Sequence, residues 1–417
     1  MLACGIIHAV KRLFLLAASM AAALLLGACG GQGNSADYPR DFRVVAGDAS
    51  ATVTWTAEPD VDYWIFFGAG PNITTANWAA SNGRVITSAK SPQIITGLAN
   101  GTTYSFTING RKNRGPGGSG APTQVIVPVL AGENWAPGTP IGATRLNGIA
   151  AGTGTLGFSV VTVGAGGTIY SSVAGAAMTA RTNPSAPIDL NAVWYGTLGF
   201  VAGGANGTLL HSFDATTWAA QTSGTPATIN GGASSVSTYI GVGSGGVIVS
   251  SSNGTTWNTV NSGITTDLYA ATYGAGRFVA VGAAGTILHS SDGSSWAASN
   301  VVTSNDLRGV SFGLVASAGG TTTTNAWVAV GAGGAVLLST DGQTWAVVPS
   351  FTTANLNGII NGGRFVAVGA GGVIFTSLDG LAWQARASGT TTDLTSAART
   401  LSGYTAVGDA GTNVSTF

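Results

Sequence analysis

A glycine hairpin recurs along the last two-thirds of the chain and constrains the fold more than any other feature. Each copy consists of a run of β-branched or aromatic residues, the pattern Gly-x-x-Gly and a second apolar run. The first glycines of these copies are Gly164, Gly204, Gly243, Gly282, Gly331, Gly369 and Gly408. Successive copies lie 38 to 40 residues apart, except for one step of 49. A period near 40 that is built from short strands is typical of a β-propeller with one four-stranded blade per repeat. The sequence therefore predicts seven blades over residues 131–417.

The composition fits an all-β chain that forms two folded units. The chain has 417 residues, which is too many for one ordinary core. Valine, isoleucine, threonine and aromatic residues alternate between turn residues, a pattern typical of strands. The 16 basic and 16 acidic residues balance each other. This balance leaves no electrostatic footprint for nucleic acid or for an anionic membrane surface.

Residues 1–28 have the features of a secretory signal peptide. Lys11 and Arg12 precede an apolar run from Leu13 to Leu26, and this run is too short for a resident membrane-spanning helix. The run ends in Leu-Gly-Ala-Cys29, which resembles the bacterial lipobox. That resemblance implies that Cys29 is acylated, becomes the mature N-terminus and anchors the protein to the membrane through its lipid. The alternative is an ordinary secretory signal with an incidental cysteine.

The residues around Cys29 suggest where the protein resides. Gly30 follows the cysteine, in place of the aspartate that retains lipoproteins at the inner membrane. The resemblance therefore implies the outer membrane or the cell surface of a Gram-negative bacterium. Residues 29–37 are predicted to form a flexible tether. Cys4 lies in the removed segment, so no cysteine pair is left for a disulfide.

Residues 38–128 are predicted to form a small β-sandwich. Val53 and Trp55 lie on one face of a predicted strand, and Tyr104 follows a turn in the arrangement of a tyrosine corner. Together with Tyr63 and Leu98, these residues fall in the order found in fibronectin type III domains, which the segment resembles. The resemblance implies a spacer between the anchor and the propeller.

A second short motif recurs before each predicted fourth strand. It has the form Ser-x-Asp-Gly-x-x-Trp, and its Asp-Gly or Asn-Gly pair is a strong hairpin signal. The Asp or Asn and Trp positions are Asp214, Asn253, Asp292, Asp341, Asp379, Trp218, Trp257, Trp296, Trp345 and Trp383. The motif resembles the Asp-box of sialidase-like propellers and of the photosystem II assembly factor propeller, although it is one residue shorter. We expect a structural role for these residues. The first repeat is degenerate, with Val173 and Met178 at the Asp and Trp positions.

Trp135 is predicted to close the ring. The last repeat ends at Phe417 without a tryptophan strand, whereas the segment around Trp135 carries one upstream of the first repeat. This segment is expected to form the outer strand of the last blade. Pairing of the two ends removes an open sheet edge, which would otherwise invite aggregation.

The sequence offers little for catalysis. Sialidase-like propellers that hydrolyse sugars use an arginine triad, a Tyr/Glu nucleophile pair and an Asp acid, and glycoside hydrolysis generally needs paired carboxylates. Glu133, however, is the one glutamate between residue 131 and the C-terminus. Arg277 and Arg364 occupy equivalent repeat positions, as do His211 and His289, which favours structural roles. We assign no catalytic residue, no cofactor and no metal site.

The entrance to the predicted central channel is the candidate binding site. An aspartate precedes the innermost strand in four repeats, and other polar residues lie nearby. The candidates are Asp189, Asp267, Asp306, Asp393, Arg145, Arg308, Tyr269 and Asn147. A partial ring of aspartates would receive a cation or a polar ligand. In the alternative that we favour, each aspartate caps its own turn through bonds to the backbone.

These features predict a non-enzymatic surface lipoprotein that binds or scaffolds a protein partner or a polysaccharide through its propeller. The alternative is a glycan-active hydrolase of the sialidase-like group. A nucleic-acid partner is not expected.

Overall fold

The computed structural model describes residues 34–300, 302–316, 323–401 and 403–416. The signal peptide predicted for residues 1–28, Cys29 and the beginning of the predicted tether lie outside these residues. The described chain divides into two compact units, with the boundary between Leu130 and Ala131. Within the described ranges, no helix has the length and apolarity needed to cross a membrane.

The first unit consists of two antiparallel sheets. The larger sheet has the order Ser35–Ala36, Tyr104–Lys112, Val61–Ala69 and Arg84–Ala89, and Gln124–Ile126 also pairs with Tyr104–Lys112. The smaller sheet has the order Arg43–Gly47, Ser50–Thr54 and Gln93–Thr96. Because Ser35–Ala36 pairs with Gly110 and Arg111, the fold of this unit begins inside the segment that the sequence assigned to the tether.

The core of the first unit is formed by alternate residues of both sheets. Val53, Ile65 and Phe106 are fully buried in it, as the period of two in a strand requires. The hydroxyl of Tyr104 accepts the backbone N–H of Ala99 at 3.1 Å, which is the contact expected of a tyrosine corner. The fibronectin type III assignment stays a prediction.

The second unit contains seven four-stranded antiparallel sheets among its described residues. We number them 1 to 7 in the order of their first strands, and each list runs from the first to the fourth strand. Sheet 1 consists of Leu146–Gly154, Gly157–Gly164, Ile169–Val173 and Thr179–Ala180; sheet 2 of Leu190–Gly196, Gly199–Gly204, Leu209–Ser212 and Ala219–Gln221; sheet 3 of Ile229–Ser234, Tyr239–Gly243, Ile248–Ser251 and Asn258–Val260; and sheet 4 of Leu268–Gly274, Arg277–Gly282, Ile287–Ser290 and Ala297–Ala298. Sheet 5 consists of Leu307–Ala316, Thr323–Gly331, Val336–Ser339 and Ala346–Val347; sheet 6 of Leu356–Asn361, Phe365–Gly369, Ile374–Ser377 and Gln384–Arg386; and sheet 7 of Leu394–Arg399, Tyr404–Gly408, Asn413–Thr416 and Trp135–Pro137.

The sheets are arranged around a common axis. The first strand of each sheet packs against the first strand of the next, and that of sheet 7 packs against that of sheet 1. Each sheet thus has its first strand at the centre and its fourth strand outside. Four-stranded antiparallel sheets in radial order are the defining feature of a β-propeller, so the all-β fold predicted from the repeats is present.

The two positions of each Gly-x-x-Gly hairpin require glycine for different physical reasons. In sheet 3, Gly243 is extended, and a Cβ atom there would lie 2.0 Å from the carbonyl oxygen of Thr228. Gly246 has a φ of +73°, and a Cβ atom would lie 2.4 Å from the oxygen of Ile264. The first glycine therefore permits a close approach, and the second also permits the left-handed turn.

Trp135 lies in the outer strand of sheet 7. Trp135–Pro137 pairs antiparallel with Asn413–Thr416, so that Trp135 faces Thr416. The indole N–H of Trp135 donates to the carbonyl of Gly132 at 3.0 Å. The first and last strands of the second unit therefore lie side by side in one sheet, which is the arrangement expected for Trp135.

Candidate binding site at the channel mouth

A β-bulge at the start of every sheet forms the wall of the central channel. In sheet 1, Leu146 pairs with Gly164 and Gly148 pairs with Val163, so the pairing skips the residue between them. The same register shift occurs in the other six sheets. A bulge re-aims the side chain of the skipped residue. The seven bulged residues, all of which line a channel cavity of about 470 Å³, are Asn147, Asn191, Asn230, Tyr269, Arg308, Asn357 and Thr395.

Most of these bulged residues bond to the neighbouring sheet. Four of them donate to the backbone carbonyl of the first residue in the first strand of the next sheet. These bonds are Asn147 to Leu190 at 2.8 Å, Asn230 to Leu268 at 3.0 Å, Asn357 to Leu394 at 2.9 Å and Thr395 to Leu146 at 2.6 Å. The bonds run around the channel and cross from sheet 7 to sheet 1, so they join the sheets at the axis.

Tyr269 and Arg308 differ from the other bulged residues in size and chemistry. They lie on the adjacent sheets 4 and 5, whereas the other five bulged residues are asparagine or threonine. Arg308 donates through Nη1 to the amide oxygen of Asn357 at 3.0 Å. Burial raises the pKa of the Tyr269 phenol, and the carboxylates of Asp306 and Asp267 raise it further. Tyr269 is therefore a neutral hydrogen-bond donor at neutral pH.

The aspartates predicted at the channel mouth bond to backbone. Each Oδ1 atom accepts an N–H from the hairpin turn of the preceding sheet, 22 or 23 residues earlier in the chain. The bonds are Gly166 to Asp189 at 2.6 Å, Gly245 to Asp267 at 2.7 Å, Ala284 to Asp306 at 3.0 Å and Gly371 to Asp393 at 2.7 Å. Asn355 accepts the N–H of Gly333 in the same way at 2.9 Å, so the contact does not require a charge. The expectation that each aspartate caps its own turn is wrong, because the capped turn belongs to the neighbouring sheet.

Arg145 makes a different contact between sheets 7 and 1. It takes the position of the aspartate in sheet 1, and its Nη1 lies 2.8 Å from Oδ1 of Asp409 in the hairpin turn of sheet 7. Its Nε also donates to Asn147 at 3.0 Å. Both charged side chains are more than a third exposed, so this ion pair contributes little stability.

The channel lining is suited to binding. It offers amide, phenol and guanidinium groups, and the residues that line the channel cavity include no carboxylate. Most glycoside hydrolases use a pair of carboxylates, and the lining of this cavity contains none. Within the part of the chain that the structure describes, no group of three or more His, Cys, Asp or Glu side chains is placed to hold a metal ion.

The Asp-box residues are engaged within their own turns. The Oδ1 atoms of Asp214, Asn253, Asp292, Asp341 and Asp379 accept the N–H groups of the residues two and three positions further on. The indole N–H groups of Trp257, Trp296 and Trp383 donate to the carbonyl of the glycine in the same box. Trp218 and Trp345 are buried in the cores that join their sheets to the preceding ones.

The strand pairing corrects one assignment in the degenerate first repeat. Val160 pairs with Ser172, as Phe278 pairs with Ser290 in sheet 4. The position of the box aspartate in sheet 1 is therefore Ala174, and the expectation of Val173 is wrong by one residue.

Sequence reasoning named three of the seven bulged residues and missed Asn191, Asn230, Asn357 and Thr395. A signal for them was present, because each directly follows the apolar residue that leads its first strand. Their common repeat offset marks them as equivalent to Asn147.

Comparison with known proteins supports the fold. No family model and no curated protein matches the chain. Among solved structures, YCF48 from Cyanidioschyzon merolae matches with 15% identity and a TM-score of 0.52, over 68% of this chain and 98% of that one. YCF48 bound to D1 peptide matches with 15% identity and a TM-score of 0.53, over 70% and 99%. A streptogramin B lyase structure matches with 12% identity and a TM-score of 0.57, over 68% and 98%. At these identities the similarity concerns the fold alone, and the chain is a β-propeller protein. YCF48 is a photosystem II assembly factor, so the resemblance to that propeller noted in the sequence is confirmed as a similarity of fold.

Proposed function

We propose that this protein is a non-enzymatic binding protein whose seven-bladed propeller holds an extended segment of a protein partner at the channel mouth. The observation that carries the proposal is the pair Tyr269 and Arg308 on adjacent sheets of the channel wall. The other five bulged positions hold asparagine or threonine, which suffices to join the sheets. An aromatic and a charged residue at two neighbouring positions are not needed for that purpose.

The chemistry of this pair fits a peptide that carries a carboxylate. The guanidinium of Arg308 has five N–H donors in a planar fork that matches a carboxylate. Tyr269 adds a rigid aromatic surface with one polar end. The similar fold of YCF48 bound to D1 peptide supports a protein partner, and we extend this support to the present chain.

We further propose the location that the sequence predicts. Cys29 would carry the lipid anchor, residues 38–128 would form a fibronectin type III spacer, and the propeller would be displayed at the outer membrane or the cell surface. A polysaccharide partner is the less favoured alternative, because the channel wall contains a single aromatic residue among its seven bulged positions.

A display screen with two matched variants tests this function. The purified protein would be screened against random peptides with free carboxyl termini, and selected peptides would be measured by calorimetry. Tyr269→Asn and Arg308→Asn restore the residue type found at four other bulges, so we expect both variants to fold normally. A hydrogen bond to a charged group contributes about 1.5–3 kcal/mol, so Arg308→Asn should weaken binding roughly ten- to hundred-fold.

The control for this screen is Asp292→Asn. This substitution lies in the Asp-box turn of sheet 4, and the variant should bind like the wild type. Equal affinity of all variants for the selected peptides would contradict a site at the channel mouth. Failure to select any peptide would contradict the proposed ligand class.

A further inference from the structure

Six of the seven junctions between neighbouring sheets are filled by two aromatic rings. One ring comes from the second strand of the later sheet. The other is a tryptophan that directly precedes the fourth strand in sheets 2 to 6 and begins it in sheet 7. The second-strand residues are Phe200, Tyr239, Phe278, Trp327, Phe365 and Tyr404, each at most 1% exposed. In sheet 4 the rings of Phe278 and Trp296 lie 6.4 Å apart, and in sheet 7 those of Tyr404 and Trp135 lie 6.3 Å apart. Each pair packs against the preceding sheet.

The junction between sheets 7 and 1, called the 7–1 junction below, lacks this pair. Val160 stands at the second-strand position and Met178 at the tryptophan position. Both are only half-buried. The opposite wall is also unusual, because sheet 7 presents Thr405 and Asn413 there. In the other six sheets the same two positions hold valine, isoleucine or leucine.

A cavity of about 570 Å³ lies at the 7–1 junction. Its walls include the apolar side chains of Ile141, Phe158, Val160 and Met178. Polar groups lie on the side of sheet 7, where the hydroxyls of Thr405 and Ser415 are 2.9 Å apart. Volume, apolar walls and a few convergent polar groups are the properties of a small-molecule site.

We propose that this cavity binds a small aromatic molecule that carries a ring N–H or O–H group, of the indole class. The other six junctions show what this space accommodates, namely aromatic rings packed between two sheets. In four of them the indole N–H of the tryptophan donates to a glycine carbonyl, as Trp296 does to Gly293 at 3.2 Å. Apolar cavities in proteins take up small aromatic molecules. This site is separate from the channel mouth and takes a different class of ligand.

Fluorine NMR with 5-fluoroindole as the probe tests the proposal. The probe signal should broaden and shift on addition of the purified wild-type protein at millimolar probe concentration. The variant Val160→Phe/Met178→Trp supplies the aromatic pair that the other junctions contain. This variant should abolish the broadening and raise Tm, because it fills the cavity.

The matched control is Leu381→Trp, which adds a tryptophan at an exposed turn of sheet 6 and should leave probe binding unchanged. Should the double variant fail to fold, Met178→Trp alone fills part of the same space and should weaken binding. Unchanged broadening with a folded filled variant would place the probe elsewhere, and no broadening with the wild type would refute an indole site.

Discussion

At the scale of single residues, the Asp-box shows how backbone N–H groups control a carboxylate. Burial alone would raise the pKa of Asp214 and of Asp341. The N–H groups that each carboxylate accepts outweigh this effect and lower the pKa of both to about 2. Asn253 occupies the same place in sheet 3, and its Oδ1 accepts the corresponding N–H groups at 2.9 and 2.8 Å. The geometry thus tolerates either residue, and the charge adds a dependence on pH.

We expect Asp214→Asn/Asp341→Asn to flatten the acid dependence of stability. A carboxylate whose pKa is lower in the folded state contributes stability above its unfolded pKa and loses it as pH falls through the folded value. For these two residues the loss falls between about pH 4 and pH 2. Urea denaturation across this range should show a shallower decline for the variant. The reverse change, Asn253→Asp, should steepen the decline, and parallel curves for all three proteins would contradict the argument.

At the scale of strands and turns, the sequence predicted what depends on neighbours close in the chain. The Gly-x-x-Gly hairpins and the Asp-box turns depend on contacts between residues close in the chain, so the residue types alone identify them. The bulges were not predicted, because a register shift depends on how two strands pair rather than on one residue type. The partners of the aspartates were also missed, since Asp306 accepts an N–H from Ala284 in the preceding sheet. Such contacts between sheets are set by packing of the whole ring.

The contact made by Asp306 gives a prediction for a pair of substitutions. Asp306→Asn should leave the free energy of unfolding nearly unchanged, because Asn355 makes the same bond in sheet 6. Asp306→Ala leaves the N–H of Ala284 without its acceptor. By analogy with helix capping residues, the alanine variant should lose about 1 kcal/mol. Chemical denaturation measures both values, and equal losses in the two variants would show that the carboxylate acts through its charge.

At the scale of the whole molecule, the ring joins parts of the chain that lie far apart in sequence. The count of tryptophan strands predicted that a segment near Trp135 would complete the last sheet, because the last repeat lacks one. The contacts that join sheets 7 and 1 could not be read from the repeats. Arg145 departs from the repeat pattern at the aspartate position, and Asp409 departs from it directly after the first hairpin glycine, where the other repeats have alanine or serine. Their ion pair becomes visible only when the two sheets are adjacent. The cavity at the 7–1 junction has the same origin, since it arises where two atypical sheets meet.

Trp135→Ala tests how far stability depends on this joining of the two ends. Removal of a buried tryptophan costs about 3–5 kcal/mol. The control is Trp383→Ala in sheet 6, which removes a partly buried tryptophan at the equivalent repeat position. In the control, the fourth strand remains connected in sequence to its own sheet. The strand Trp135–Pro137 is far from Asn413–Thr416 in the sequence and is held to it by non-covalent contacts. Detachment of this strand would expose an unpaired sheet edge. We expect hydrogen exchange to increase at Asn413–Thr416 and in the first strand of sheet 1, which packs against sheet 7. In Trp383→Ala the increase should centre on sheets 5 and 6. The same exchange pattern in both variants would mean that the ends of the ring are no weaker than its other junctions.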